Sequence, residues 1–167
     1  MNNITLIGMP GAGKSTVGVV LAKLLGYDFV DCDLLIQREE GRLLWQIMEQ
    51  EGREGFQAIE ERVNASLELT GSVIAPGGSV IYSEKAMRHL REISTVVYLK
   101  LSCEDLSRRL GNLIKRGVVL KPGQTLKDLY DERTPLYEKY AHATLEISSQ
   151  DIAQAAWEIS ELIEDLL

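Results

Sequence analysis

Gly8-Met9-Pro10-Gly11-Ala12-Gly13-Lys14-Ser15 is the stretch whose reading decides the fold. It fills the pattern G-x-x-x-x-G-K-[ST], and each fixed position has a physical reason. Gly11 and Gly13 let the backbone wrap an anion with its N–H groups turned inward. A helix that follows points the positive end of its dipole at the same anion. Lys14 reaches the β- and γ-phosphates of a nucleotide, and the Ser15 hydroxyl can ligate Mg2+. Gly11, Ala12, Gly13, Lys14, Ser15 and Thr16 therefore read as a cradle for nucleotide phosphates.

The flanks supply the context this loop needs. Ile4–Ile7 is a short apolar run with β-branched residues, stopped by Gly8, and reads as a buried strand. After the loop, Val17, Val20, Leu21, Leu24 and Leu25 repeat at helical spacing until Gly26. The alternation continues along the chain. Further strands are expected at Tyr27–Val30, Ser72–Ala75, Thr95–Leu99 and Thr144–Ile147. Helical pattern runs from Leu34 to about Leu69, broken at Gly41 and Gly52, then over Glu84–Arg91, Glu104–Leu110, Leu126–Tyr140 and Ile152–Leu166. Residues 111–123 are irregular, with basic residues at Lys115, Arg116 and Lys121. Strands alternating with helices predict an α/β chain with a parallel sheet covered on both faces. Such sheets bind ligands beyond the carboxyl ends of their strands. Gly8, Asp31 and Gly77 follow the first three expected strands, so the chemistry should gather there.

Composition narrows the function. A chain of 167 residues with 45% hydrophobic and 26% charged residues fits one soluble domain, 1–167. The net charge of −7 disfavours a broad nucleic-acid surface but leaves room for a local basic pocket. The two cysteines, Cys32 and Cys103, read as reduced thiols. Met1–Ile7 has no basic leader, and its apolar run is too short for a signal or a membrane span. These features predict a cytoplasmic protein with no membrane or nucleic-acid partner, and a monomer. No N-K-x-D guanine-reading motif is present, and the third strand ends in Pro76-Gly77-Gly78 rather than in Asp-Glu. A GTPase and an ATPase motor are thereby disfavoured; ATP and one small acceptor molecule remain.

Read together, the phosphate loop, Phe29-Val30-Asp31-Cys32-Asp33, the run from Gly52 to Glu60, the Gly77-Gly78 turn, the basic segment around Arg116, and Arg133-Thr134-Pro135-Leu136-Tyr137 resemble the shikimate kinases, in order and over nearly the whole chain. The resemblance implies a three-layer α/β/α P-loop kinase with a five-stranded parallel sheet in the order 2-3-1-4-5 and a mobile lid at about 111–123. It implies transfer of the γ-phosphoryl group of ATP to a hydroxyl of a small acceptor, shikimate first, as a step of aromatic amino-acid biosynthesis. Asp31 matches the acidic residue that, with Ser15, helps hold Mg2+. Asp33 matches the residue that binds the acceptor hydroxyls and accepts the proton of the attacking one; on position alone it could equally cap a helix starting at Leu34. Arg133 matches the arginine that pairs with the acceptor carboxylate, for which a planar fork is suited, the alternative being a surface helix arginine. Arg116 matches the lid arginine that clamps the transferred phosphate, and Arg109 the residue that packs on adenine. Lys14, Asp33 and Arg116 are thus the expected catalytic set, and Asp33, Gln57, Gly77, Gly78, Ser79 and Arg133 the expected acceptor site.

Three departures complicate the acceptor. Gln57, in Phe56-Gln57-Ala58-Ile59-Glu60, stands where the resemblance implies a second carboxylate-gripping arginine. Gly52-Arg53 replaces Gly-Glu, and Ser79 replaces a third glycine; Gly117 further replaces a proline after Arg116. One explanation keeps shikimate and moves the charge to Arg53, one helical turn before Gln57. Another is a different polyol or hydroxy-acid acceptor, with Gln57 and Ser79 bonding to hydroxyls or an amide. A third is a nucleotide-binding regulatory module that has lost phosphoryl transfer. The remaining singular residues read as structural: His89 and His142 lack metal-ligand spacing, Cys32 as packing, and Trp45 and Trp157 as core or partly buried.

Overall fold

The computed structural model describes residues 3–110, 121–148 and 151–166. The elements run β1 (Asn3–Ile7), α1 (Lys14–Leu25), β2 (Asp28–Asp31), α2 (Cys32–Glu40), α3 (Leu44–Ala65), β3 (Ser72–Ala75), α4 (Glu84–Ile93), β4 (Ser94–Lys100), α5 (Cys103–Leu110), α6 (Leu126–Tyr140), β5 (Ala143–Glu146) and α7 (Ile152–Glu164). A short 3-10 turn, Val80–Tyr82, links β3 to α4. The five strands form one parallel sheet in the order β2-β3-β1-β4-β5. β1 lies at its centre, with Ile4 opposite both Val73 and Thr95.

Alternation along β1 shows why both faces are covered. The side chain of Leu6 lies close to Gly18 of α1. Its neighbour Thr5 bonds at 2.6 Å to Ser94, whose hydroxyl donates to Leu90 O on α4. Adjacent strand residues point to opposite faces, so α1 and α4 lie on opposite sides of the sheet. α7 packs beside α1, and α3 beside α4. Every residue of β1 and β3 is buried, as expected for strands covered on both faces.

Two local features aim the chain at the strand ends. α1 begins at Lys14 directly after Gly13, which is left-handed at φ 92° and ψ 18°. α3 is broken at Gly52, with φ 69° and ψ −176°, a conformation that favours glycine. A new helical segment therefore starts at Arg53.

The tryptophans correct an expectation. Trp45 is 61% and Trp157 57% exposed, so neither belongs to the core. Trp157 lies on the solvent side of α7 and donates its indole N–H to Glu161 at 3.0 Å. Cys32 is fully buried, consistent with packing. His142 accepts the N–H of Val96 at 2.9 Å and His89 bonds to Leu67 O at 2.7 Å, structural roles for both.

Candidate active site

At the carboxyl ends of β1, β2 and β3 a cavity of about 800 Å3 takes in the phosphate loop from Gly11 to Thr16, Asp31, Asp33, Gln57, Gly77–Ser79, Arg109 and Arg133. All expected site residues within the described chain thus meet in one place. Arg116, with residues 111–120 of the expected lid, lies outside the described residues.

On the nucleotide side, Lys14 is folded back onto its own loop. Its Nζ donates to Gly8 O at 2.7 Å and Met9 O at 3.0 Å. Burial pushes its pKa down to about 8, against the opposing pull of Asp33. Arg109 stands beside the loop, its guanidinium 3.8 Å from where a side chain on Gly13 would begin.

Asp31 has two tasks. Its Oδ1 accepts the N–H of Asp33 at 2.9 Å and of Leu34 at 3.2 Å, capping α2. Its Oδ2 accepts from the Ser15 hydroxyl at 3.4 Å. Asp31, not Asp33, is therefore the helix cap, and the capping alternative for Asp33 is removed. Ser15 and Asp31 present hard oxygen donors side by side at the end of the phosphate loop, which fits Mg2+, an ion that takes one or two protein oxygens and leaves the rest to water and phosphate.

Asp33 sits in the first turn of α2, within the cavity. Burial first, and the charge of Asp31 second, raise its carboxyl to about 6, with Lys14 opposing. Across from it, Glu60 on α3 is 2% exposed. Burial raises its carboxyl to about 7. The two carboxylates converge on Gly77: a Cβ there would come within 2.7 Å of Glu60 Oε2 and 3.0 Å of Asp33 Oδ1. A side chain at 77 would therefore press on both carboxylates. Ser79, two residues on, donates its hydroxyl to Glu60 Oε1 at 2.8 Å, whereas Glu60 Oε2 has no partner among the described residues. The Ser79 hydroxyl is occupied by Glu60.

Arg133 is only 7% exposed, which rules out the surface-arginine alternative. Its Nε donates to the Tyr82 hydroxyl at 3.3 Å, and Tyr82 in turn donates to Glu132 at 2.9 Å. Four residues along α6, the buried Tyr137 stacks on Tyr98 with ring centroids 5.1 Å apart and donates to Gly78 O at 2.7 Å. The Arg133–Tyr137 run therefore supplies one residue to the cavity and one that pins the glycine turn.

Glu60 and Tyr82 had no place in the sequence-based site. Glu60 ends the Phe56–Glu60 run and could have been found from its fixed spacing to Gln57. Tyr82 lies in a turn with no periodic signal. Among the described residues no helix is long and apolar enough to cross a membrane, and no cluster of three or more metal-ligating side chains occurs.

Comparison with known proteins identifies the family. The family model described as shikimate kinase matches residues 10–164. The shikimate kinase of Pasteurella multocida (strain Pm70) is 39% identical over 168 residues, covering 98% of this chain and 96% of that protein. Among solved structures, a shikimate kinase from Acinetobacter baumannii in complex with shikimate superposes with a TM-score of 0.89 at 36% identity, over 99% of this chain and 94% of that one. The shikimate kinase of Aquifex aeolicus gives 0.82 at 29% identity, over 98% and 96%. With the family model matching residues 10–164, relatives matched over nearly their whole length and the same architecture, the chain belongs to the shikimate kinase family.

Proposed function

We propose that the chain acts as a single kinase domain that transfers the γ-phosphoryl group of ATP to a hydroxyl of shikimate, giving a phosphate monoester and ADP. The observation that carries this is the meeting of Lys14 and Asp33 in one cavity, close enough for each to shift the other's proton affinity. A nucleotide sensor needs the lysine and the loop; it does not need a half-buried acceptor-side carboxylate.

In this reading the attacking hydroxyl oxygen forms a bond to the γ-phosphorus, the bond from that phosphorus to the β-bridging oxygen breaks, and the hydroxyl proton passes to Asp33. A carboxyl raised to about 6 still holds mostly carboxylate at neutral pH and is a stronger base than an ordinary aspartate. Lys14 leaves the Gly8 and Met9 carbonyls to neutralise the phosphates. Ser15 and Asp31 would hold Mg2+, which supplies charge neutralisation to the phosphate oxygens. Arg133 holds the acceptor's carboxylate, with its fork steadied by Tyr82. The Gly77-Gly78 backbone lets the acceptor ring lie close. Arg109 is assigned to the adenine side, and Arg116, on the family resemblance alone, to the transferred phosphate. The chain is taken as a cytoplasmic monomer.

The test is the initial rate of ADP formation with Mg-ATP over a wide range of shikimate, with Asp33→Asn as control. Saturable turnover that Asp33→Asn lowers by 100-fold or more supports the reading, because a positioned base contributes about 10²–10⁴. ATP binding with no turnover of shikimate at any concentration refutes it.

A further inference from the structure

Arg53 is a cation without an acid. Arg42, in the link between α2 and α3, and Arg62 on α3 are tied to Glu39, Glu40 and Glu51. Arg53 makes no ion pair or hydrogen bond among the described residues. Nor is it simply a solvated surface charge: it is half-buried and lines the cavity with Gln57 and Arg133. The Gly52 break starts a new helical segment at Arg53, and Gln57 follows one turn later on the same face.

Tyr82 ties Arg53 to the acceptor side. The Arg53 guanidinium carbon lies 5.8 Å from the centroid of the Tyr82 ring, and that of Arg133 lies 5.4 Å from the same centroid. Two guanidinium groups thus share one aromatic ring. Glu132 already accepts from the Tyr82 hydroxyl, and Arg53 is only a minor cause of its lowered pKa. Like charges gathered beside a partly desolvated cavity repel unless an anion enters between them. Gln57 can donate a hydrogen bond there but cannot neutralise anything.

We propose that Arg53 is the second carboxylate-binding residue of the acceptor site, acting with Arg133 across Tyr82, and that Gln57 adds only a neutral hydrogen bond. The cation has moved one helical turn towards the N-terminus of α3. This rests on the reading that the acceptor is shikimate, and it makes Arg53 a specificity-determining residue, not a catalytic one.

The experiment compares the whole protein with Arg53→Ala, Arg53→Lys and the double variant Arg53→Ala with Gln57→Arg, using shikimate and its carboxamide. A charged hydrogen bond is worth about 10- to 100-fold in binding. Arg53→Ala is expected to raise KM for shikimate by that factor while kcat and KM for ATP change by less than about threefold. Arg53→Lys should fall between, and the double variant should recover most of the loss. Against the uncharged carboxamide, the original protein and Arg53→Ala should perform alike. An unchanged KM for shikimate in Arg53→Ala, or an equal loss on both substrates, overturns the proposal. Absence of shikimate turnover in the unsubstituted protein overturns the functional reading itself and Arg53's role with it, so the two failures are told apart.

Discussion

Glu60→Gln should make this protein more stable above neutral pH and remove part of its pH dependence. Glu60 is 2% exposed, its Oε2 has no partner among the described residues, and the only hydrogen bond to its carboxylate among them is the one from Ser79. Its carboxyl rises from 4.5 to about 7, burial being the main cause. An acid whose folded-state pKa lies above its unfolded value keeps its proton longer in the folded chain. Between those values the folded state binds more protons, so stability falls as pH rises through the window and is flat above it. At about 1.4 kcal/mol per pKa unit, the full loss is about 3 kcal/mol. Glutamine keeps the acceptor for Ser79 and carries no charge. The gap in unfolding free energy between Glu60→Gln and the original protein should therefore widen by about 2–3 kcal/mol from pH 5 to pH 8. Urea titrations at four or five pH values read this directly. Asp33, raised to about 6, adds a slope of its own, and because its charge also raises Glu60 the difference between the two curves reads Glu60 together with that coupling. A gap that does not change with pH would refute the reasoning, because the buried carboxyl would then not titrate with folding.

Three further outcomes follow from the site's contacts and its raised carboxyl. Gly77→Ala drives a methyl group to within 2.7 Å of Glu60 and 3.0 Å of Asp33; it should cost about 1–3 kcal/mol of stability and raise KM for shikimate, and normal steady-state kinetics would contradict it. Tyr137→Phe removes the bond to Gly78 O; the loss of about 1 kcal/mol should lower the melting temperature by about 2–4 °C, and a melt unchanged within error would show that the bond contributes nothing. kcat/KM for shikimate should fall on the acid side with a midpoint near 6, following Asp33; a midpoint near that of ordinary aspartate would mean that this carboxyl is not raised when the reaction occurs.

What could be read from the chain was what lies close together along it. The phosphate loop, the Asp31/Asp33 pair and the Gly77-Gly78 turn each occupy a few consecutive residues after an apolar run, so local pattern was enough. The strand order came from the resemblance, because alternation of strands and helices predicts a parallel sheet but not which strand sits at its centre. The contacts missed are those between distant segments. Ser79 meets Glu60 from 19 residues away, and Tyr82 meets Arg133 from 51 residues away. The two tryptophans misled because an indole has a large apolar body and a polar N–H: on α7, Trp157 bonds with Glu161 at the surface instead of entering the core. Arg133 shows the reverse, since nothing in the α6 pattern marks an arginine as buried.

Asp31 joins two halves of the site that are usually considered separately. One of its oxygens fixes the backbone N–H of Asp33; the other faces Ser15. Replacing it with alanine would free the start of α2, let Asp33 shift, and strip the charge that helps keep Asp33 basic, all at once. A loss of activity in that variant could not be assigned to metal binding. Asparagine keeps the cap and removes the charge, so comparing the two replacements separates scaffold from electrostatics. Few residue types could fill both roles, which places an unusually narrow constraint on what selection can put at this one position.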